Sequence, residues 1–133
     1  MGCQKQILVV EDEFLIAIHV ADIMADLGFG VIGPVGDIAQ ALALVEEATL
    51  DGAILDVNLS GQLVFPVAIA LAARGVPFIL TSGYDANGLP IEWQDRPILR
   101  KPVVERDLCR LAQSVFLAGK SVQELKVAGV HPV

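Results

Sequence analysis

Apolar positions along this chain fall into two alternating patterns. Short continuous runs predict strands covered on both faces: "QILVV" (Gln6 to Val10), "VIGPV" (Val31 to Val35), "GAIL" (Gly52 to Leu55), "FIL" (Phe78 to Leu80) and "PILR" (Pro97 to Arg100). Pro34 suits an edge or terminal place in its strand. Between the runs lie helical stretches. Glu13 to Leu27 carries Phe14, Leu15, Ile18, Ala21 and Leu27 near helical spacing and is stopped by Gly28. Asp37 caps a helix through about Ala48. A third helix is predicted from Leu63 to Ala73, and a last one from about Val103 to Ala118, with Pro102 at or just before its first turn.

Five such repeats predict one α/β domain, a doubly wound parallel sheet with helices on both faces. One connection departs from the pattern. The fifteen residues "SGYDANGLPIEWQDR", Ser82 to Arg96, hold Asn87-Gly88 and Pro90 and leave room for barely two helical turns. The fourth helix is therefore expected to be short or irregular. The stretch from Lys120 to Val133 is expected to fray as a tail, with residues 1–119 as the folded domain and no effector domain.

Composition narrows the partners. The chain has 133 residues, 54% hydrophobic and 19% charged, which suits a covered sheet and excludes disorder. A net charge of −7 without a compensating Lys/Arg cluster argues against nucleic acid. No run is long enough to span a membrane, and "MGCQKQ" has no signal-peptide core, so the expected location is the cytoplasm. Gln6 stands where a myristoylation signal wants Ser or Thr. Cys3 and Cys109 show no metal spacing and read as reduced thiols. His19 and His131 have no spaced partner and read as neither ligands nor phosphohistidines.

In a parallel sheet ligands bind at the carboxyl ends of the strands. Here those ends carry Glu11-Asp12, Asp56, Thr81-Ser82 and Arg100-Lys101-Pro102. Singly, each has an ordinary reading: a helix cap for Glu11 or Asp12, an Asx-turn for Asp56, a strand residue for Thr81, a solvated lysine for Lys101. Collectively the acids conflict. Two unit charges about 4 Å apart repel by about 1 kcal/mol in water and about 4 at an effective dielectric near 20. Three carboxylates make three such pairs, comparable with the roughly 5–15 kcal/mol stability of a whole domain. Lys101 offsets part of this, and a divalent cation would offset more, Mg²⁺ being suited to an all-oxygen site. An aspartate beside a cation, a lysine and a hydroxyl has the parts needed for phosphoryl transfer through an aspartyl-phosphate.

The segments "ILVVEDE", "ILDVNLSG", "FILTSG" and "ILRKP" occur in that order, and on them the chain resembles the receiver domains of two-component response regulators from about Gln6 to Gly119. The resemblance implies a flavodoxin-like (βα)5 fold with strand order 2-1-3-4-5. It makes Asp56 the phosphoacceptor and sets Mg²⁺ (or Mn²⁺) against Asp12 and Asp56, with Glu11 acting largely through water and Asn58 adding its backbone carbonyl. Thr81 would supply the hydroxyl that closes on the phosphoryl group, Ser82 the small residue that admits it, and Lys101 the phosphate contact, followed by a cis bond to Pro102. The implied donor is a phosphohistidine on a sensor histidine kinase or phosphotransfer protein, and the output a downstream protein contact.

Ile98 stands where ordinary receivers carry a switch aromatic, while Tyr84 follows the fourth strand. This is similar to stand-alone receivers with a Phe-x-Thr-Gly-x-Tyr-like motif, and it implies signalling by ordering of the Ser82–Arg96 segment. Tyr84 and Trp93 read equally well as lids on the sheet edge. Three other functions fit less well. A haloacid dehalogenase-type phosphatase would place its nucleophile on the first strand as Asp-x-Asp. A flavodoxin would need a phosphate loop where "VEDEFL" stands. A pseudo-receiver, acting as a phosphorylation-independent interaction module, would not need this full set of acids, hydroxyl and lysine. The expected chemistry is confined to self-phosphorylation and its reversal, so the protein is not an enzyme in the ordinary sense. "WQDRPILRK" offers a contact face through which a homodimer could form.

Overall fold

In the computed structural model, which describes residues 4–83 and 88–117, five parallel strands lie in the order β2-β1-β3-β6-β7. They are β1 (Gln6–Val10), β2 (Gly30–Val35), β3 (Gly52–Asp56), β6 (Phe78–Ser82) and β7 (Ile98–Arg100). A two-stranded hairpin, β4 (Asn58–Leu59) and β5 (Gln62–Leu63), follows β3. The helices are α1 (Phe14–Asp26), α2 (Ile38–Glu47), α3 (Phe65–Ala73) and α4 (Glu105–Phe116). This is the flavodoxin-like order that the family resemblance implied. Pro34 lies on an edge strand, where its missing N–H removes no ladder bond from a central strand.

Strand alternation divides the core into two layers. Leu8, Val10, Ala53, Leu55, Phe78 and Leu80 pack toward α2 and α3. Ile7, Val9, Ile54, Ile79 and Leu99 pack toward α1 and α4. Both faces of β1, β3 and β6 are thus covered, which is why these strands are apolar without alternation. At the start of β3 a side chain on Gly52 would collide with the ring of Phe116, so glycine permits α4 to lie against the sheet.

Helix α1 corrects the sequence reading. Its buried residues are Ala17, Val20, Ile23 and Met24, whereas Phe14, Leu15 and Ile18 are 73%, 80% and 39% exposed. The helix is apolar on nearly every side, so spacing alone did not select the inward face. Asp37 does cap α2, accepting from the Gln40 N–H at 2.7 Å. The third helix begins at Phe65 instead of Leu63, because Leu63 is drawn into the hairpin opposite Asn58. Pro66 then sits in the first turn, where it forfeits no helical bond. Strand β6 runs on through Thr81 and Ser82, and β7 starts one residue later than expected. The last helix starts at Glu105, with Glu105 and Asp107 favourably placed in its first turn.

Between β6 and β7 the described residues include a 3-10 turn, Ile91–Trp93, and no α-helix. Trp93 anchors this connection. Its ring stacks on Phe65 at 5.7 Å between centroids and 5° between planes, and the Arg96 guanidinium lies over Phe78 and Trp93. Tyr84, Cys3, His131 and the expected tail from Lys120 lie outside the described residues. No helix among those described is long and apolar enough to cross a membrane.

Because Trp93 joins this connection to both α3 and the sheet, Trp93→Ala is expected to cost about 3–4 kcal/mol of unfolding free energy, as large-to-small core changes do. Urea denaturation of both proteins measures it.

Candidate functional site

Main-chain bonds fix where the strands end. Asp56 is paired with Thr81, and Ser82 with Arg100. Beyond the ladder, Val57 N–H donates to the Thr81 carbonyl (2.9 Å) and Lys101 N–H to the Ser82 carbonyl (2.8 Å). On the other side Glu11 N–H donates to the Val35 carbonyl (2.9 Å). Gly36 lets that loop close on Asp12, since a side chain there would lie 3.3 Å from the Asp12 Cα.

These ends bring Glu11, Asp12 and Asp56 together, with one carboxylate oxygen of each within 4.8 Å of the others. Glu11 and Asp56 are 5% and 4% exposed. Lys101 Nζ lies 3.0 Å from Glu11 Oε1 and 3.1 Å from Asp56 Oδ2. The peptide bond from Lys101 to Pro102 is cis.

The electrostatics follow from burial. Desolvation pushes the Glu11 carboxyl up to about 7, against the opposing pull of the Glu13 N–H and Lys101. Burial also raises Asp56, again outweighing Lys101. Asp12 is different: a hydrogen bond from the Ser60 hydroxyl holds it below the usual carboxylate range. Burial works against the Lys101 ammonium, but its bonds to Glu11 and Asp56 prevail and raise its pKa.

Neither Glu11 nor Asp12 is the cap of α1. That position is Glu13, which makes no side-chain cap bond. Glu11 Oε2 instead accepts from the Glu13 N–H (3.1 Å), keeping the acidic loop turned inward. Asp56 does form an Asx-type contact, accepting from Asn58 N–H at 3.3 Å, but with one oxygen only. The Asn58 side chain is occupied elsewhere, accepting from Gly61 N–H at 2.7 Å and closing the hairpin.

The two hydroxyls part company. Alternation along β6 turns Thr81 toward the α1 and α4 side with Ile79, whereas Ser82 shares the side of Phe78 and Leu80. Ser82 lines a cavity of about 100 Å³ beside Asp56, walled by Leu63, Phe65, Leu89 and Pro90, and Thr81 does not. Pleat parity, together with the register, is the signal that could have separated them. Ile98 packs against the same core layer as Leu80.

Three clustered carboxylates form a hard-oxygen donor set, and the adjoining cleft opens past Asp12, Asn58 and Gly83. That chemistry fits a small divalent cation that keeps some of its water. A soft or nitrogen-preferring metal would find no His or Cys in the cluster.

An α/β domain with an acidic, lysine-bridged cleft at the switch point of its sheet has the architecture of a receiver, and comparison with known proteins agrees. Over 83% of this chain and 94% of its own, SdrG from Sphingomonas melonis is 42% identical, with a TM-score of 0.73. The BeF3-activated conformation of SdrG from Pseudomonas melonis, also 42% identical, scores 0.71 over 84% and 95% of the two chains. The receiver domain of a sensor histidine kinase from Pseudomonas aeruginosa, solved with magnesium coordinated in its active-site cleft, scores 0.74 at 22% identity over 87% of this chain and all of its own. A likeness that distant speaks for the fold alone. Transcriptional regulatory protein PdtaR of Mycobacterium tuberculosis is 23% identical over 122 residues, and this chain spans 60% of its length. No family model matches the sequence. The chain belongs to the response regulator receiver family.

Since burial of the Asp56 charge outweighs its pairing with Lys101, and Lys101 keeps Glu11 as a partner, Asp56→Asn is expected to raise the melting temperature of the metal-free protein at neutral pH. Melting in chelator and in millimolar Mg²⁺ tests this. Mg²⁺ should raise the melting temperature of wild type and leave the variant nearly unmoved.

Proposed function

We propose that this chain is a response regulator receiver that accepts a phosphoryl group from a phosphohistidine donor onto Asp56. The observation that carries the reading is the position of the Asp56 carboxylate: nearly buried, 3.1 Å from Lys101 and crowded by two further acids at the edge of an open cleft. A solely structural aspartate gains nothing from that company.

Asp12 and Asp56 would hold Mg²⁺ (or Mn²⁺), with Glu11 contributing through water and Asn58 through its backbone carbonyl. When bound, the cation supplies charge neutralisation for the phosphoryl oxygens. The rest is the work of the chain. An Asp56 oxygen attacks phosphorus while the phosphorus–nitrogen bond of the donor breaks, its electron pair returning to the imidazole. Lys101 passes from the carboxylate to a phosphoryl oxygen, keeping Glu11 as its second partner. A hydroxyl donates to another phosphoryl oxygen. Ser82 lines the cavity beside Asp56, which favours it over Thr81, the residue expected from the sequence. The reverse step is hydrolysis: water adds to phosphorus, the bond to Asp56 breaks, and carboxylate and inorganic phosphate are regenerated. Phosphorylation would signal by reordering the segment from Ser82 to Arg96, which the Phe65–Trp93 stack ties to the site.

The exposed side chains of Phe14 and Leu15 follow the acidic loop directly. A protein donor presenting its histidine to Asp56 would meet them. A sensor kinase or phosphotransfer protein with an apolar helical surface suits this face, and the activity is that of a signalling domain rather than of an enzyme with a separate substrate.

Incubation with Mg²⁺ and acetyl phosphate, followed by intact mass, tests the central claim. Wild type should gain one base-labile phosphate and Asp56→Asn none. If wild type binds Mg²⁺ yet forms neither this adduct nor a beryllofluoride complex, the protein is a pseudo-receiver working as a phosphorylation-independent interaction module. In the same assay Ser82→Ala should slow phosphorylation by about tenfold or more, while Thr81→Val stays within about twofold of wild type. Leu15→Asp should leave the rate with acetyl phosphate unchanged and slow transfer from a phosphohistidine protein by about tenfold or more.

A further inference from the structure

Among the described residues Ser60 is the one non-glycine with a positive φ, 52°. It occupies the first position of the two-residue turn joining β4 to β5, with Gly61 at φ 92° following. Asn, Asp or Gly is the usual occupant of such a position, because it demands left-handed backbone. The hairpin does not need the Ser60 side chain to close. Asn58 pairs with Leu63 and Leu59 with Gln62, and the Asn58 side chain secures Gly61.

The hydroxyl is turned to another use. It donates to Asp12 Oδ2, a residue 48 positions earlier in the chain and on the opposite wall of the cleft. That bond is the leading cause of the lowered Asp12 pKa. Asp12 is itself only partly buried, and Lys101 bridges Glu11 and Asp56. Leu63, in the same hairpin, lines the apolar cavity beside Asp56.

We infer that Ser60 is a positioning residue for the cation site: its hydroxyl holds one oxygen of Asp12, leaves the other for the metal, and so makes cation binding pull on the β4–β5 hairpin. The inference rests on the reading of Asp12 as a metal ligand. Its physical basis is that a hydrogen bond to a ligating carboxylate fixes the carboxylate's orientation before the metal arrives. The unfavourable backbone conformation at Ser60 is explained by the same role, since glycine would suit the turn better and could not reach Asp12.

Glycine therefore separates the two roles. Mg²⁺ binding to the full chain is measured by titration calorimetry, and Mn²⁺ binding by water-proton relaxation, with thermal melts in chelator alongside. Ser60→Gly should melt at or above wild type, its turn relaxed, yet bind both cations about three- to tenfold more weakly. Ser60→Asn, which tolerates the backbone and restores an N–H donor, should regain most of the affinity. Equal affinity of wild type and Ser60→Gly would overturn the inference and leave the metal site standing. A Ser60→Asn protein as weak as the glycine variant would overturn it as well. A wild type that binds neither cation would remove both the inference and the metal site beneath it.

Discussion

The Lys101 ammonium, 3.0 Å from Glu11 and 3.1 Å from Asp56, is the contact on which the site depends. Parallel registry forces the ends of β1, β3 and β7 into one cleft, and two of the three ends bring carboxylates. Without a cation between them the acids would repel by about 4 kcal/mol for each close pair. The position of Lys101 is in turn set by the main chain, through its N–H to the Ser82 carbonyl. The sheet ladder thus determines the electrostatics as well as the shape. What remains is a cleft that holds more negative charge than one lysine can balance.

A well-neutralised cluster would have little to gain from a bound cation, whereas the charge left over here is what a divalent cation would offset. Two structural connections lead away from the site. On one side the Ser60 hydroxyl joins Asp12 to the β4–β5 hairpin. On the other, Ser82 and the apolar cavity adjoin Phe65, whose ring stacks on Trp93 in the β6–β7 connection. With Ile98 in place of an aromatic on β7, the aromatic mass beside the site among the described residues comes from Phe65 and Trp93.

Much of the fold was legible because each local signal agreed with the next. Apolar runs bounded by turns located the five strands of the sheet, and Pro34 its edge. Asp37 marked a helix start by a bond to its own neighbours, which needs no tertiary context. The fourth helix is expected to be stunted from the prolines and Asn87-Gly88, and the described part of that connection holds 3-10 structure and no α-helix. The four residues at the heart of the site, Glu11, Asp12, Asp56 and Lys101, were legible for a topological reason: a parallel sheet gathers its strand ends wherever the strands happen to be in sequence.

Other features were settled only by packing and register. In α1, apolar residues surround the helix, so its spacing was equally compatible with burying Phe14 or Ala17; the approach of the helix to the sheet chose Ala17. Leu63 had the composition of a helix start, and it entered a hairpin because Ser60 and Gly61 adopted left-handed backbone. Thr81 and Ser82 are adjacent hydroxyls of similar chemistry, and only the pleat, fixed by pairing with β3 and β7, put them on opposite sides of the sheet. The sequence by itself determined where the strands lie and the charges their ends would carry, and its family resemblance implied their order. Which side chain faces which at those ends was decided by tertiary structure, because a one-residue difference in strand parity changes no local preference and reverses every contact.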